Sequence, residues 1–222
     1  MIPKEIFDFL VELSIHNNRE WFQDNKPKYL RAKEAFEAYT NKLIALINTI
    51  DPSIGHPAAK DCVFRIYRDA RFSKNKDPYK NNFGAYISHG GRKSTYAGYY
   101  FHLEPDNSFI GGGIYCPSPK VLKSVREAII ENTQSYKSII EDSAFKKVFP
   151  EIWGERLKTA PKGFDKTDPN IHLVQNKSYT VISHLSDEEV LSENIDQKIE
   201  AVYRLLHPFN KFINQSIKRS LS

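Results

Sequence analysis

The chain has 222 residues, of which 40% are hydrophobic and 27% charged, with a formal net charge of +5. This is a globular composition, long enough to bury a sizeable core, and it excludes a disordered chain. No apolar run approaches the ~20 residues of a membrane-spanning helix, and two cysteines, Cys62 and Cys116, are too few for a disulfide framework or a closed zinc site.

From Ile2 to Ile50 the chain reads as helix, with acids between the first apolar residues where a signal peptide would be unbroken. Asn17 and Glu20 stand at capping-box spacing, which predicts a short helix through Trp21 and Phe22 started by Asn17. Beyond Pro27, the residues Tyr29, Ala32, Phe36, Tyr39, Leu43, Leu46 and Ile50 recur three or four apart. That spacing is one face of a long amphipathic helix, ended by Asp51-Pro52.

From Asp61 to Cys116 the pattern changes to alternation, and aromatic residues crowd the segment. Strands are predicted near 62–69, 83–88, 96–104 and 108–116, with HGGRKS and PDN as turns between the last three. Helix then returns: Ser118-Pro119 predicts a cap and first turn, and Asp168-Pro169 repeats the device before a short helix. SYTVISHL, residues 178–185, reads as one more strand, and the stripe from Ile195 to Ile217 as a long last helix. The expected fold class is α+β, a single domain over residues 1–222. An antiparallel sheet of four to six strands in the middle of the chain packs against N- and C-terminal helices.

The charge is concentrated. Between Lys60 and Lys93 nine Lys or Arg stand against three Asp, which leaves −1 for all the rest of the chain. Local charge of this kind points to an anionic partner. Alternation sorts the predicted strands into two faces. One carries Cys62, Phe64, Ile66, Phe83, Ala85, Ile87, Tyr99, Phe101, Leu103 and Ile110, and is expected to be core. The other carries Arg65, Tyr67, Tyr86, Tyr100, His102, Glu104, Phe109, Gly111 and Gly113, a mixture of rings, charges and bare backbone.

That second face is the candidate ligand site. Arg65, Arg68, Arg71, Lys76 and Lys80 supply charge, Tyr67, Tyr79 and Tyr100 rings and hydroxyls, and Gly111 and Gly113 close backbone access. Arg68 falls on the core side by alternation, so its part requires the strand end to twist outward. His102 beside Glu104 is the candidate general acid or base, because imidazole next to a carboxylate is tunable near neutrality. An exposed sheet face with scattered tyrosines is the plain structural alternative.

Other motifs fail on their own geometry. GGRKST, residues 90–95, lacks the spacing and the strand–loop–helix order of a phosphate-binding loop. Gly111–Gly113 lacks the dinucleotide fingerprint. No three ligands converge on a metal, and no cofactor is implied.

Four stretches together resemble a known family, the domain of unknown function 2461. They are NNREWF (17–22) with KPKY, RIYRDARFSKNKDPYKNN (65–82), AGYYFHLEPDNSFIGGGIYCP (97–117), and KGF followed by SYT in the last third. The resemblance spans nearly the whole chain and implies a single α+β domain. It brings no reaction and no assigned catalytic residue. The functional expectation therefore rests on the residues: a cytoplasmic protein that binds a phosphate-bearing or other anionic small molecule in a basic, aromatic-lined cleft. Alternatives are a hydrolase or transferase acting on a phosphorylated small molecule, and a nucleic-acid-binding protein. No membrane partner is expected.

Overall fold

Helix α1 (Lys4–Ile15) forms because Ile6, Phe7, Phe9, Leu10 and Leu13 fall on one buried face. The computed structural model describes residues 1–69 and 74–221, so Arg71 of the candidate site lies outside the described residues. Helix α2 (Arg19–Asp24) is capped by Asn18, whose side chain accepts the Trp21 N–H at 2.9 Å. The cap is thus one residue later than the spacing of Asn17 and Glu20 suggested. Helix α3 (Lys26–Ile50) carries Pro27 in its first turn and buries Tyr29, Ala32, Phe36, Tyr39, Leu43 and Ile47. It ends at Asp51, whose carboxylate accepts the Ser53 N–H and starts a 3-10 turn over Pro52–Ile54.

The strand expected over 62–69 is replaced. Ala59–Cys62 is a single helical turn, α4, and the chain beyond it makes only isolated antiparallel bridges. Val63 pairs with Ala85 and Tyr67 with Tyr79. The Arg68 N–H donates to the Pro78 carbonyl, but proline has no N–H to return, so the ladder cannot continue.

Strands β1 (Phe83–Ile87), β2 (Gly98–Leu103), β3 (Ser108–Ile114) and β4 (Tyr179–Leu185) form one antiparallel sheet in the order β1-β2-β3-β4. The turn between β1 and β2 uses Gly90 and Gly91, both at positive φ. The PDN turn between β2 and β3 places Asp106 at a φ of 62° and closes with Asn107 N–H on the Glu104 carbonyl. Beyond β3 come α5 (Pro119–Glu131), capped by Ser118, then α6 (Thr133–Ile140) and α7 (Ser143–Val148). Asp168-Pro169 leads into a 3-10 turn, Ile171–Val174, rather than an α-helix. Helix α8 (Asp187–Leu191) has a full capping box between Ser186 and Glu189, and α9 (Ile195–Leu221) closes the chain. No helix among the described residues is long and apolar enough to cross a membrane.

The chain divides into two compact units. One comprises Met1–Lys93, Tyr100–Ile110 and His184–Glu200, the other Ser94–Tyr99, Gly111–Ser183 and Ala201–Ser222. In the first, Phe36 of α3 stacks on Phe83 at 5.2 Å and on Phe101 at 6.0 Å, so the long helix covers the apolar sheet residues. Truncating such a ring costs about 3–5 kcal/mol. In the second, Tyr99 packs edge-on against Tyr203, and two asparagines of α9 reach the backbone where β2 starts. Asn210 donates to the Gly98 carbonyl, while Asn214 both accepts from Ala97 N–H and donates to its carbonyl.

Candidate functional site

Within the first unit, β2 alternation sends Tyr100 and His102 to the face opposite Phe101, and Glu104 follows just past the strand end. Tyr100 lies across β1 because residue 84 is glycine. A Cβ there would stand 2.5 Å from the tyrosine hydroxyl. The His102 ring stacks on Phe109 of β3, centroids 4.4 Å apart and planes 13° from parallel. Phe64 meets Tyr100 edge-on at 6.2 Å, and the Lys80 ammonium sits 5.7 Å from the Phe64 ring centre.

A continuous hydrogen-bonded chain runs along this face. His102 Nε2 is 3.0 Å from Glu104 Oε2, and the same oxygen accepts from Asn107 Nδ2 at 2.8 Å. A carboxylate only accepts, so His102 carries its proton on Nε2. Its Nδ1 then accepts from the Tyr100 hydroxyl at 3.0 Å. Burial holds the His102 pKa below its ordinary value, and the positive charge of Lys80 pushes the same way; the bond to Glu104 opposes both. Burial, with Glu104 nearby, pushes Tyr100 up to about 12. At neutral pH the chain is therefore a phenol, a neutral imidazole and a carboxylate.

Lys80 supplies the unmet charge. Its pKa is lowered first by burial, then by the positive charges of Arg65 and Arg68. Among the described residues neither Lys80 nor Arg65 has an ion-pair partner; Glu104 is engaged by His102 and Asn107 instead. Three cations thus converge beside an aromatic floor, Lys80 and Arg68 half-buried and Arg65 exposed, which is the arrangement that an anion relieves.

The expected residues do not all gather here. Arg65, Lys80, Tyr100, His102 and Glu104 do, with Arg68 half-buried close enough to act on Lys80. Lys76 is exposed on the loop that precedes Tyr79. Tyr79 is not a site residue: it is 4% exposed and stacks on Phe22 at 3.8 Å, inside the core. Tyr67 is 45% exposed and leans on Phe22 and Tyr79. Gly111 and Gly113, in the second unit, give no access to a ligand. A Cβ on either would lie 2.0 Å from a β4 carbonyl oxygen, Val181 for Gly111 and Tyr179 for Gly113, so the neighbouring strand fills the space.

Phe64, read as core, is 37% exposed and joins the site, because the segment it stands in lacks the strict alternation of a strand. Of the two cysteines, Cys62 is buried and Cys116 exposed. Asn107 was legible only as a turn residue, although its side chain orients Glu104.

A sequence model of the family described as a conserved hypothetical protein, DUF2461, matches residues 5–212. The chain belongs to the DUF2461 family. Neither the curated proteins nor the solved structures contain a match to it. The stretches that carry the DUF2461 likeness are physically joined: Asn17 of NNREWF bonds the Tyr79 backbone and the Asn81 side chain, while Phe22 of the same stretch stacks on the Tyr79 ring. In this DUF2461 protein the first motif braces the segment that delivers Lys80.

Proposed function

We propose that this protein binds a phosphate-bearing or otherwise anionic small molecule in the cytoplasm, with Arg65 and Lys80 holding the anion over the Phe64 and Tyr100 rings. The single observation that carries the reading is Lys80: an ammonium partly removed from water, lowered by two arginines, and paired with no carboxylate among the described residues. A bound anion would supply the missing counter-charge through charge-assisted hydrogen bonds. Both cysteines are free thiols, which suits a reducing compartment.

Calorimetric titration with inorganic phosphate tests this, and saturable binding is expected. Single-stranded oligonucleotide is the contrasting probe. If it binds and phosphate does not, with affinity falling steeply as salt rises, the nucleic-acid reading replaces this one.

A second reading, hydrolysis or transfer on a phosphorylated small molecule, is favoured by the Tyr100–His102–Glu104 chain. There His102 is the acid and base: its unprotonated Nδ1 takes a proton from the attacking hydroxyl through the Tyr100 O–H, Glu104 holds the imidazolium so formed, and the proton returns by the same route to the leaving oxygen. Turnover of a phosphoester panel, measured with and without divalent metals and lost in His102→Ala, would support it. Absence of turnover would leave binding alone.

A further inference from the structure

The second unit contains a cavity of about 950 Å³, entirely within residues 115–178. That size accommodates a drug-sized organic molecule. Its walls are built from chain that is firmly held. The segment from Trp153 to Leu157 lies antiparallel to 175–180: Trp153 N–H donates to the Thr180 carbonyl at 2.7 Å, and Leu157 N–H to the Gln175 carbonyl at 2.8 Å. The Thr180 hydroxyl donates to the Trp153 carbonyl as well. Opposite, the Cys116 N–H donates to the Ser178 hydroxyl and holds Tyr115 at the mouth.

Two observations define what fits. Five aromatic side chains line the walls: Trp153 and Tyr115 lie 6.1 Å apart at the mouth, exposed by 45% and 64%, with Tyr136, Phe145 and Phe149 buried. The lining charges also cancel. Lys146, Arg156 and Lys177 stand against Glu141, Glu151 and Glu155, and Lys177 is already paired with Glu155.

We propose that this cavity is a second binding site, for an uncharged planar aromatic molecule that stacks on the exposed rings of Trp153 and Tyr115. It is independent of the anion site, since its residues, its charge balance and its ligand all differ.

The test uses 2-naphthol as probe on the full chain carrying Trp21→Phe, so that all tryptophan emission comes from Trp153. Saturable quenching is expected. Bound probe is also expected to slow the reaction of Cys116 with a disulfide reagent at least severalfold. Cys62 does not confuse that reading, being buried with its thiol pushed up to about 11. Trp153→Leu, followed by thiol protection, should weaken the probe tenfold or more, and Tyr115→Leu, followed by Trp153 emission, about fivefold, the scale of one aromatic contact; both side chains are exposed, so both variants should fold. Anionic 2-naphthoate should bind at least tenfold more weakly. Quenching that never saturates, or affinity unchanged in the variants that fold, overturns the site; equal binding of 2-naphthoate overturns its assignment to an uncharged ligand.

Discussion

Asn17 and Tyr79 hold each other by a reciprocal pair of hydrogen bonds. The Asn17 Nδ2 donates to the Tyr79 carbonyl at 3.1 Å, and the Tyr79 N–H donates to Asn17 Oδ1 at 3.2 Å. A side chain thereby imitates a strand neighbour on the edge of the segment that its bridge to Tyr67 leaves open. Asn17 is half-buried, and the same Nδ2 also reaches Asn81 Oδ1 at 2.6 Å. Lys80 lies between the two residues so fixed, and the anion site depends on this clamp.

Asn17→Ala leaves a buried N–H and carbonyl of Tyr79 without partners. It should cost about 1–3 kcal/mol in urea denaturation. Asn18→Ala removes only the α2 cap and should cost about 1 kcal/mol. If the two variants lose the same stability, the clamp has no special weight.

Gly111→Ala should be far worse than an ordinary glycine substitution. Its Cβ would stand 2.0 Å from the Val181 carbonyl oxygen, so β4 must move, and a loss of at least about 3 kcal/mol is expected. Gly113→Ala meets the same distance at Tyr179 and adds a φ of 103°. Gly163 is the control: its φ is 88° but nothing lies within 4 Å of the added Cβ, so Gly163→Ala should cost only about 1–2 kcal/mol of backbone strain. Thermal melts of the three proteins check the ranking.

The sequence made most of the elements legible, because helix stripes and strand alternation are local. The four named strands, the long α3 and α9, and the Ser118 cap all follow from spacing that a reader can count. The failures are non-local. Nothing in residues 62–69 says that their pairing partner will be split between β1 and a segment containing Pro78. Tyr79 reads as a surface ring among lysines until Phe22, far away in the chain, is seen stacked on it. Gly111 and Gly113 signal a close approach correctly, but whether a ligand or a strand makes it depends on β4, delivered by chain beyond residue 178. The Tyr100–His102–Glu104 set was legible because one strand carries it at period two.

Protonation of His102 should destabilise the fold. Its folded pKa lies below the ordinary value of 6.5, so between those values the unfolded chain binds a proton that the native protein does not. Stability conferred by the neutral ring is complete above about pH 6.5 and is lost as pH falls below it. Denaturation midpoints measured from pH 7.5 down to about 5.5 should decline less in His102→Gln than in the unaltered chain. Parallel curves would place the pH dependence elsewhere.

Lys80 should react faster than the surface lysines with an acylating reagent near pH 8, since its lowered pKa leaves more free amine. Inorganic phosphate should protect it by restoring its proton. Peptide mapping after limited acylation reads both effects. A Lys80 labelled no faster than Lys74, and unaffected by phosphate, would contradict the electrostatic description.

The most direct measurement is the phosphate affinity of Lys80→Met and Arg65→Ala by calorimetry. The methionine keeps the stem of the side chain over Phe64 while removing its charge, so packing is largely retained. Each variant should lose roughly 1.5–3 kcal/mol of binding, the scale of a charge-assisted hydrogen bond, with the folded stability of Lys80→Met unchanged or raised. Phosphate binding that is the same in both variants as in the unaltered chain would contradict the account.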